Sequence, residues 1–194
     1  MDDGGFRGAM VDCRPSSPSS ISKPFAIRST VYTLVFLIFI LGLVPAAARF
    51  LGERLWPGAP GEGSIAWHYW VAFVELVGIG IFTIGLAAYL ACSVWLMYFG
   101  RGPHVEFDPP KAFVATGPYR WVRNPVVITL MVTLLGEAVY FQSLGIAALL
   151  LVGCPIAHLQ VTRIEEPRLR ERFGQRYEEY CHRVPRWWPR PPNE

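Results

Sequence analysis

Four long apolar segments constrain the fold of this chain more than any other feature. They run over about residues 28–48, 67–99, 125–141 and 143–162. A membrane-crossing α-helix needs roughly 20 mostly apolar residues, and its backbone must satisfy its own hydrogen bonds because the bilayer core holds no water. Since 52% of the chain is hydrophobic and only 17% is charged, we predict an all-α integral membrane protein with about four transmembrane helices.

The connections between these segments predict the organisation of the chain. Only the surroundings of Gln142 separate the third segment from the fourth, so these two helices are expected to form a tight hairpin. Residues 1–27 are rich in Ser, Pro and Gly and predict a disordered tail. Residues 28–99 then hold two transmembrane helices and their connecting loop, and residues 100–194 form a separate functional region.

The positions of Lys and Arg predict the orientation. Of the 18 basic residues, 16 lie before the first segment, between the second and the third, or after the fourth. Because cytoplasmic loops carry the excess of positive charge, we expect both termini in the cytoplasm, at the plasma or inner membrane of a bacterium or at the endoplasmic reticulum of a eukaryote. In an alternative reading the first segment is a cleaved signal, because it ends in Ala46, Ala47 and Ala48.

The segment after residue 162 predicts an amphipathic helix. Leu169, Phe173, Tyr177 and Tyr180 recur at spacings of three and four residues among Arg and Glu, as expected of a helix that lies on a membrane surface at the cytoplasmic side. Pro185 ends this helix, and the two tryptophans that follow it suit an aromatic belt at the interface.

Polar side chains are expected to meet where the predicted hairpin begins and ends. Residues just before its first helix and just after its second must be neighbours, which brings Arg123 and Asn124 close to Arg163, Glu165 and Glu166. Charged groups at membrane depth are costly and often functional. The cluster suits a zwitterionic cofactor such as S-adenosylmethionine, since Arg pairs with carboxylates, Glu accepts from hydroxyls and aromatic faces attract cations. A purely structural salt-bridge cluster fits these charges equally well.

Two motifs in the second half resemble those of a known family. The chain reads "FVATGPYRWVRNPVV" before the hairpin and "EEPRLRERFGQRYEEYCHRVP" after it. In this order and spacing, residues 113–189 resemble the integral-membrane methyltransferases that include isoprenylcysteine carboxyl methyltransferase and the phospholipid N-methyltransferases. The resemblance implies S-adenosylmethionine as cofactor, and makes residues 100–194 a methyltransferase-like cofactor-binding region.

The resemblance also implies roles for individual residues. Arg123, Arg163 and Glu165 would be catalytic. The cofactor would be bound by residues of the loop and of the start of the tail helix, namely Phe113, Val114, Tyr119, Asn124, Pro125, Glu165 and Glu166. The partners would be a lipophilic or prenylated substrate and membrane lipids, with no nucleic acid. No metal is expected, because Cys13, Cys92, Cys154 and Cys181 lie far apart and show no zinc-like spacing.

One departure from the family pattern bears on the acceptor. Asn124 stands where the family motif has His, and an amide cannot move a proton near neutral pH. A carboxylate acceptor is already ionised, whereas an amine must first lose a proton, for which Glu165, Glu166 or His158 are the candidates. The sequence therefore favours carboxyl O-methylation of the isoprenylcysteine type. Phospholipid N-methylation, a sterol-reductase-like NADPH enzyme and a non-catalytic membrane scaffold remain alternatives.

Overall fold

The computed structural model describes residues 23–55, 64–100 and 112–191. Helices are the only regular secondary structure in this part of the chain, as predicted. The predicted disordered tail lies outside the described residues as far as position 22, and residues 23–27 already belong to the first helix.

Seven α-helices form the architecture of the residues that the structure describes. Two short π-helical stretches, Ile38–Leu43 and Val161–Glu165, join α1 to α2 and α5 to α6, and Gly117–Arg120 is a single 3₁₀ turn. The seven helices are α1 (Lys23–Leu37), α2 (Val44–Leu55), α3 (Ile65–Gly100), α4 (Pro125–Tyr140), α5 (Leu144–Gln160), α6 (Glu166–Phe173) and α7 (Gln175–Arg183).

Both π-helical stretches precede a proline. Pro45 and Pro167 lie two residues after Leu43 and Glu165, where each stretch ends. Proline has no N–H and its ring clashes with the carbonyl four residues earlier. A π turn widens the backbone, so that at the end of each stretch the N–H of Val44 reaches Phe39 and that of Glu166 reaches Val161. The chain therefore passes each proline without leaving the helix.

Within residues 23–55, 64–100 and 112–191, three continuous helices are long and apolar enough to cross a membrane. They are Ser29–Leu55, Ile65–Gly100 and Leu144–Phe173. The third apolar segment forms α4, which has 16 residues. At 1.5 Å per residue, α4 measures about 24 Å, less than the ~30 Å of a typical hydrocarbon core. The predicted count of four spans thus becomes three long helices and one shorter apolar helix.

Close contacts between backbones pack α4 against α3, and α4 also contacts α5. A Cβ at Gly136 of α4 would strike the backbone of Phe82, and one at Gly85 of α3 would lie 2.8 Å from the backbone nitrogen of Thr133. Small residues allow membrane helices to approach this closely. Gly80, in contrast, has no heavy atom within 4 Å of where its Cβ would be. On the other side of the hairpin, α5 packs against α2.

The tight hairpin is confirmed, and the tail helix differs from its prediction in two ways. Phe141, Gln142 and Ser143 alone connect α4 to α5. The tail is two helices, because Gly174 has a φ of +51°, a conformation that glycine adopts without steric cost. Its apolar face does not lie free at a surface: Tyr177 and Tyr180 are buried and pack with Phe113 of the loop before α4.

Candidate active site

A cavity of about 250 Å³ lies between the loop before α4 and the two tail helices. The lining comes from the end of α3, the loop, the start of α4 and the tail. Its residues are Leu96, Ala112, Phe113, Val114, Tyr119, Arg123, Asn124, Val126, Val127, Glu165, Arg168, Leu169, Arg172, Phe173, Tyr177 and Tyr180.

The loop is attached to α3 through Trp95. Trp95 Nε1 donates to Thr116 Oγ1 at 3.3 Å, and the indole ring packs directly on Gly117. Gly117 has a φ of +59°, and a Cβ there would overlap the ring. Since glycine accepts both constraints, this residue type lets the loop turn against α3 and carry Tyr119 and Arg123 to the cavity.

Aromatic rings form one wall of the cavity. The ring centroid of Phe113 lies 5.4 Å from that of Phe173, 6.1 Å from that of Tyr177 and 5.2 Å from that of Tyr180. The two tyrosine rings meet Phe113 nearly edge to face, at 84° and 86°, a favourable arrangement for aromatic pairs. This wall can stack on a planar ring or attract a cation.

The tyrosines at the base of the wall are held in their protonated forms. Burial raises the pKa of Tyr119 and of Tyr180 above the ordinary value of 10.0. Tyr180 uses its hydroxyl proton to donate to the carbonyl oxygen of Tyr119 at 2.7 Å. This buried bond ties α7 to the 3₁₀ turn of the loop.

Charged side chains of both signs reach the cavity, with positive charge in excess. Of the residues that the structure describes, Arg123, Arg168 and Arg172 line it together with one carboxylate, that of Glu165. The Nε of Arg123 is buried and has no hydrogen-bond partner in the part of the chain that the structure describes. A buried donor without a partner is costly, so this N–H suits a bound acceptor group.

Glu166 lies at the centre of an ion-pair network beside the cavity. It is only 2% exposed, and its Oε1 accepts from Arg123 Nη1 at 3.0 Å and from Arg186 Nε at 2.6 Å. Its Oε2 accepts from Arg186 Nη2 at 2.8 Å and, more weakly, from Arg170 Nη2 at 3.5 Å. A buried carboxylate is stable only when paired in this way.

The chain after α7 returns along the loop as an extended strap, residues 184–191. The backbone N–H of Arg123 donates to the carbonyl of Pro185 at 2.9 Å, and that of Arg190 donates to the carbonyl of Trp121 at 3.0 Å. Further along, Trp187 Nε1 donates to His158 Nδ1 at 3.0 Å. The strap therefore joins the loop to the end of α5.

The structure brings together most, but not all, of the site residues predicted from the sequence. Arg123 and Glu166 meet, as the hairpin argument required. Pro125, Arg163 and Glu166 do not line the cavity; Pro125 is buried as the first residue of α4, and Arg163 is exposed. The predicted residues that line it are Phe113, Val114, Tyr119, Arg123, Asn124 and Glu165.

The sequence-based prediction omitted one residue of the strap and two arginines of α6. Arg186 is the nearest partner of Glu166, and Arg168 and Arg172 line the cavity. The four-residue spacing of this last pair places both on one helix face, which was a usable signal. In the sequence, Arg186 is distinguished only by its position after Pro185. No local pattern therefore predicts that it pairs with Glu166.

Comparisons with known proteins agree with this region. The phospholipid methyltransferase family model matches residues 67–176, more than half of the chain. No solved structure matches.

Two curated proteins are similar in sequence. The chain is 24% identical to the cobalt-zinc-cadmium resistance protein CzcN of Cupriavidus metallidurans over 180 residues, which are 91% of this chain and 72% of that protein. It is 30% identical to the nickel-cobalt-cadmium resistance protein NccN of Alcaligenes xylosoxydans xylosoxydans over 117 residues, 60% of this chain and 49% of that protein. The alignment thus spans about half the length of the second relative.

The matched residues contain most of α3, the loop with Arg123, the hairpin and α6. The end of α3, this loop, the start of α4 and α6 all contribute to the lining of the cavity. The chain therefore belongs to the phospholipid methyltransferase family, part of the integral-membrane methyltransferases that also include isoprenylcysteine carboxyl methyltransferase.

Proposed function

We propose that this protein is an S-adenosylmethionine-dependent methyltransferase that acts on a lipophilic acceptor, with carboxyl O-methylation of the isoprenylcysteine type favoured. One observation carries the proposal: in a chain of a methyltransferase family, an aromatic-walled cavity contains Arg123 with a buried, unpartnered Nε. When bound, S-adenosylmethionine supplies the methyl group.

The residues of the cavity fit the chemical groups of this cofactor. Arg123 can donate to its carboxylate, Glu165 can accept from ribose hydroxyls, and the aromatic wall around Phe113 can stack on adenine or attract the sulfonium. The volume of about 250 Å³ is slightly below the ~300–1,000 Å³ usual for small-molecule pockets. A single bound cofactor would therefore fill the cavity, and the acceptor would approach it from outside.

The charge of the lining favours an anionic acceptor. Among the described residues that line it, three arginines accompany one glutamate, so a carboxylate is attracted and a second cation is repelled. A carboxylate needs no base, which agrees with Asn124 at the position of the family histidine, and methyl transfer then requires mainly in-line positioning in a site without water.

Phospholipid N-methylation is the second candidate. An amine acceptor must be deprotonated, and of the three bases considered from the sequence only Glu165 lines the cavity. Glu166 is held by three arginines, and the Nδ1 of His158 accepts from Trp187. On this alternative Glu165 is the base.

Neither a reductase nor a scaffold without activity is favoured. Membership of a methyltransferase family argues against an NADPH-dependent reductase and against a scaffold without activity. The names of the two relatives concern metal resistance, but in residues 23–55, 64–100 and 112–191 no three His, Cys, Asp or Glu side chains come together as a metal site.

Calorimetric titration of the purified protein with S-adenosylhomocysteine tests cofactor binding. We expect the wild type to bind, and Arg123→Ala and Glu165→Ala to bind at least several-fold more weakly. Arg120→Ala and Glu171→Ala are matched controls, since both side chains are exposed and lie outside the cavity. Lack of wild-type binding at millimolar S-adenosylhomocysteine would refute the proposal.

Transfer of a labelled methyl group into a lipid extract tests the acceptor. A base-labile methyl ester is expected for a carboxyl acceptor, whereas an alkali-stable methylated amine would establish the phospholipid alternative. Cofactor binding without transfer into any fraction would instead identify a scaffold.

A further inference from the structure

The carboxylate of Glu166 is shared unequally between two arginines. The guanidinium of Arg186 contacts both oxygens, at 2.6 Å and 2.8 Å. Arg123 contacts only Oε1, through one nitrogen, at 3.0 Å. Arg and carboxylate prefer a bidentate pair. Arg186 forms this pair with Glu166, so Arg123 is left with a single contact.

This division leaves one donor of Arg123, a residue that lines the cavity, without a partner among the described residues. Its Nη1 is used by Glu166 and by Cys181 Sγ, also at 3.0 Å, while its Nε has no partner among the described residues. If Arg186 were absent, Glu166 could pair with Arg123 through two parallel bonds. The guanidinium would then turn toward Glu166 and offer fewer donors to a bound carboxylate.

The strap keeps Arg186 in this place. The backbone N–H of Arg123 donates to the carbonyl of Pro185, and Asn124 Nδ2 lies 3.5 Å from the carbonyl oxygen of Arg186. The residue that competes for Glu166 is therefore attached to the loop that carries Arg123.

We propose that Arg186 is a positioning residue: by occupying Glu166 through both oxygens, it holds Arg123 ready to bind the carboxylate of the cofactor. This inference rests on the proposed function. Arg186 acts only through Glu166 and Arg123, since it does not itself line the cavity.

Titration with S-adenosylhomocysteine tests this role in single variants. We expect Arg186→Ala to lower the affinity about tenfold, within the range found for residues of one hydrogen-bond network. Arg186→Lys keeps the charge but cannot form two parallel bonds, so it should lower the affinity as well. Arg190→Ala is the control, because this exposed residue of the same strap contributes its backbone N–H. Full affinity in Arg186→Lys would refute the argument from the two parallel bonds.

The same substitution made in the Arg123→Lys variant distinguishes a positioning role of Arg186 from a role in the stability of the fold. Arg123→Lys has no guanidinium at this position. Adding Arg186→Ala to it should therefore lower the affinity by less than about twofold relative to Arg123→Lys alone. The same tenfold loss in both backgrounds would show that Arg186 merely stabilises the region, and would refute the inference. Unchanged affinity in Arg186→Ala would refute it while the proposed function stands, whereas a wild type that binds no S-adenosylhomocysteine would refute both.

Discussion

Replacing Glu166 with Gln removes one negative charge from a site that contains three arginines. Glu166 is 2% exposed, and Gln has nearly the same shape, so the change acts mainly through charge. The Arg123 side chain, 12% exposed and 3.0 Å from Oε1, would remain buried without its partner. We therefore expect a loss of folding stability rather than a local change at the surface.

The size of the loss follows from the burial of each partner. Removing one member of a buried ion pair costs roughly 3–5 kcal/mol. Arg186 and Arg170 are 29% and 41% exposed, so water can partly replace the hydrogen bonds that they lose with Glu166. Exposed ion pairs contribute only about 0–1 kcal/mol each. Because the Gln carbonyl still accepts one hydrogen bond, we expect a loss of about 3 kcal/mol in the free energy of unfolding. For a chain of this length that corresponds to a decrease of roughly 6–12 °C in Tm.

Thermal unfolding in detergent, followed by tryptophan fluorescence, measures the effect. Glu178→Gln is the matched control, because Glu178 pairs with Arg170 at 3.0 Å but is 50% exposed. It should lower Tm by no more than about 2–4 °C, the equivalent of ~1 kcal/mol. If the two variants unfold at the same temperature, the ion-pair network around Glu166 does not stabilise the fold as argued.

Two further predictions concern helix packing and pH. Gly136→Ala should destabilise the protein by about 1–3 kcal/mol, because the added Cβ meets the backbone of Phe82. Gly80→Ala is the control: it has open space around it and should unfold at the wild-type temperature. Equal Tm values for the two variants would contradict the close approach of α3 and α4. Because the folded-state pKa values of Tyr119 and Tyr180 are raised above 10.0, the stability they confer is complete below about pH 10 and is lost as pH rises beyond it, where the unfolded chain ionises first. Tyrosinate absorbance in a pH titration checks this, and ionisation of every tyrosine near pH 10 without unfolding would contradict it.

Local rules were sufficient to predict much of this fold. A run of about 20 apolar residues can adopt few structures in a bilayer. The long helices and the hairpin at Gln142 were therefore predictable from the sequence. The same hairpin predicted that Arg123 would meet Glu166, because antiparallel helices place the residues before and after them side by side. Periodicity also identified the face of Leu169, Phe173, Tyr177 and Tyr180.

The tertiary structure decided which of these residues face the cavity. Neighbouring residues of a helix point about 100° apart, so of the pair Glu165 and Glu166 only one lines it, and the π-helical stretch that ends at Glu165 shifts this register further. A sequence with two adjacent glutamates cannot distinguish them.

The sequence by itself determined that this chain is helical, apolar and folded back on itself near Gln142, because each of these properties depends on nearby residues. Only the tertiary structure decided that Arg186 pairs with Glu166. That pairing depends on the path of the strap after Pro185, which is set by hydrogen bonds to Trp121 and Arg123, more than 60 residues earlier in the chain. Contacts between distant segments leave no periodic signal, and here they decide which arginine contacts both oxygens of Glu166.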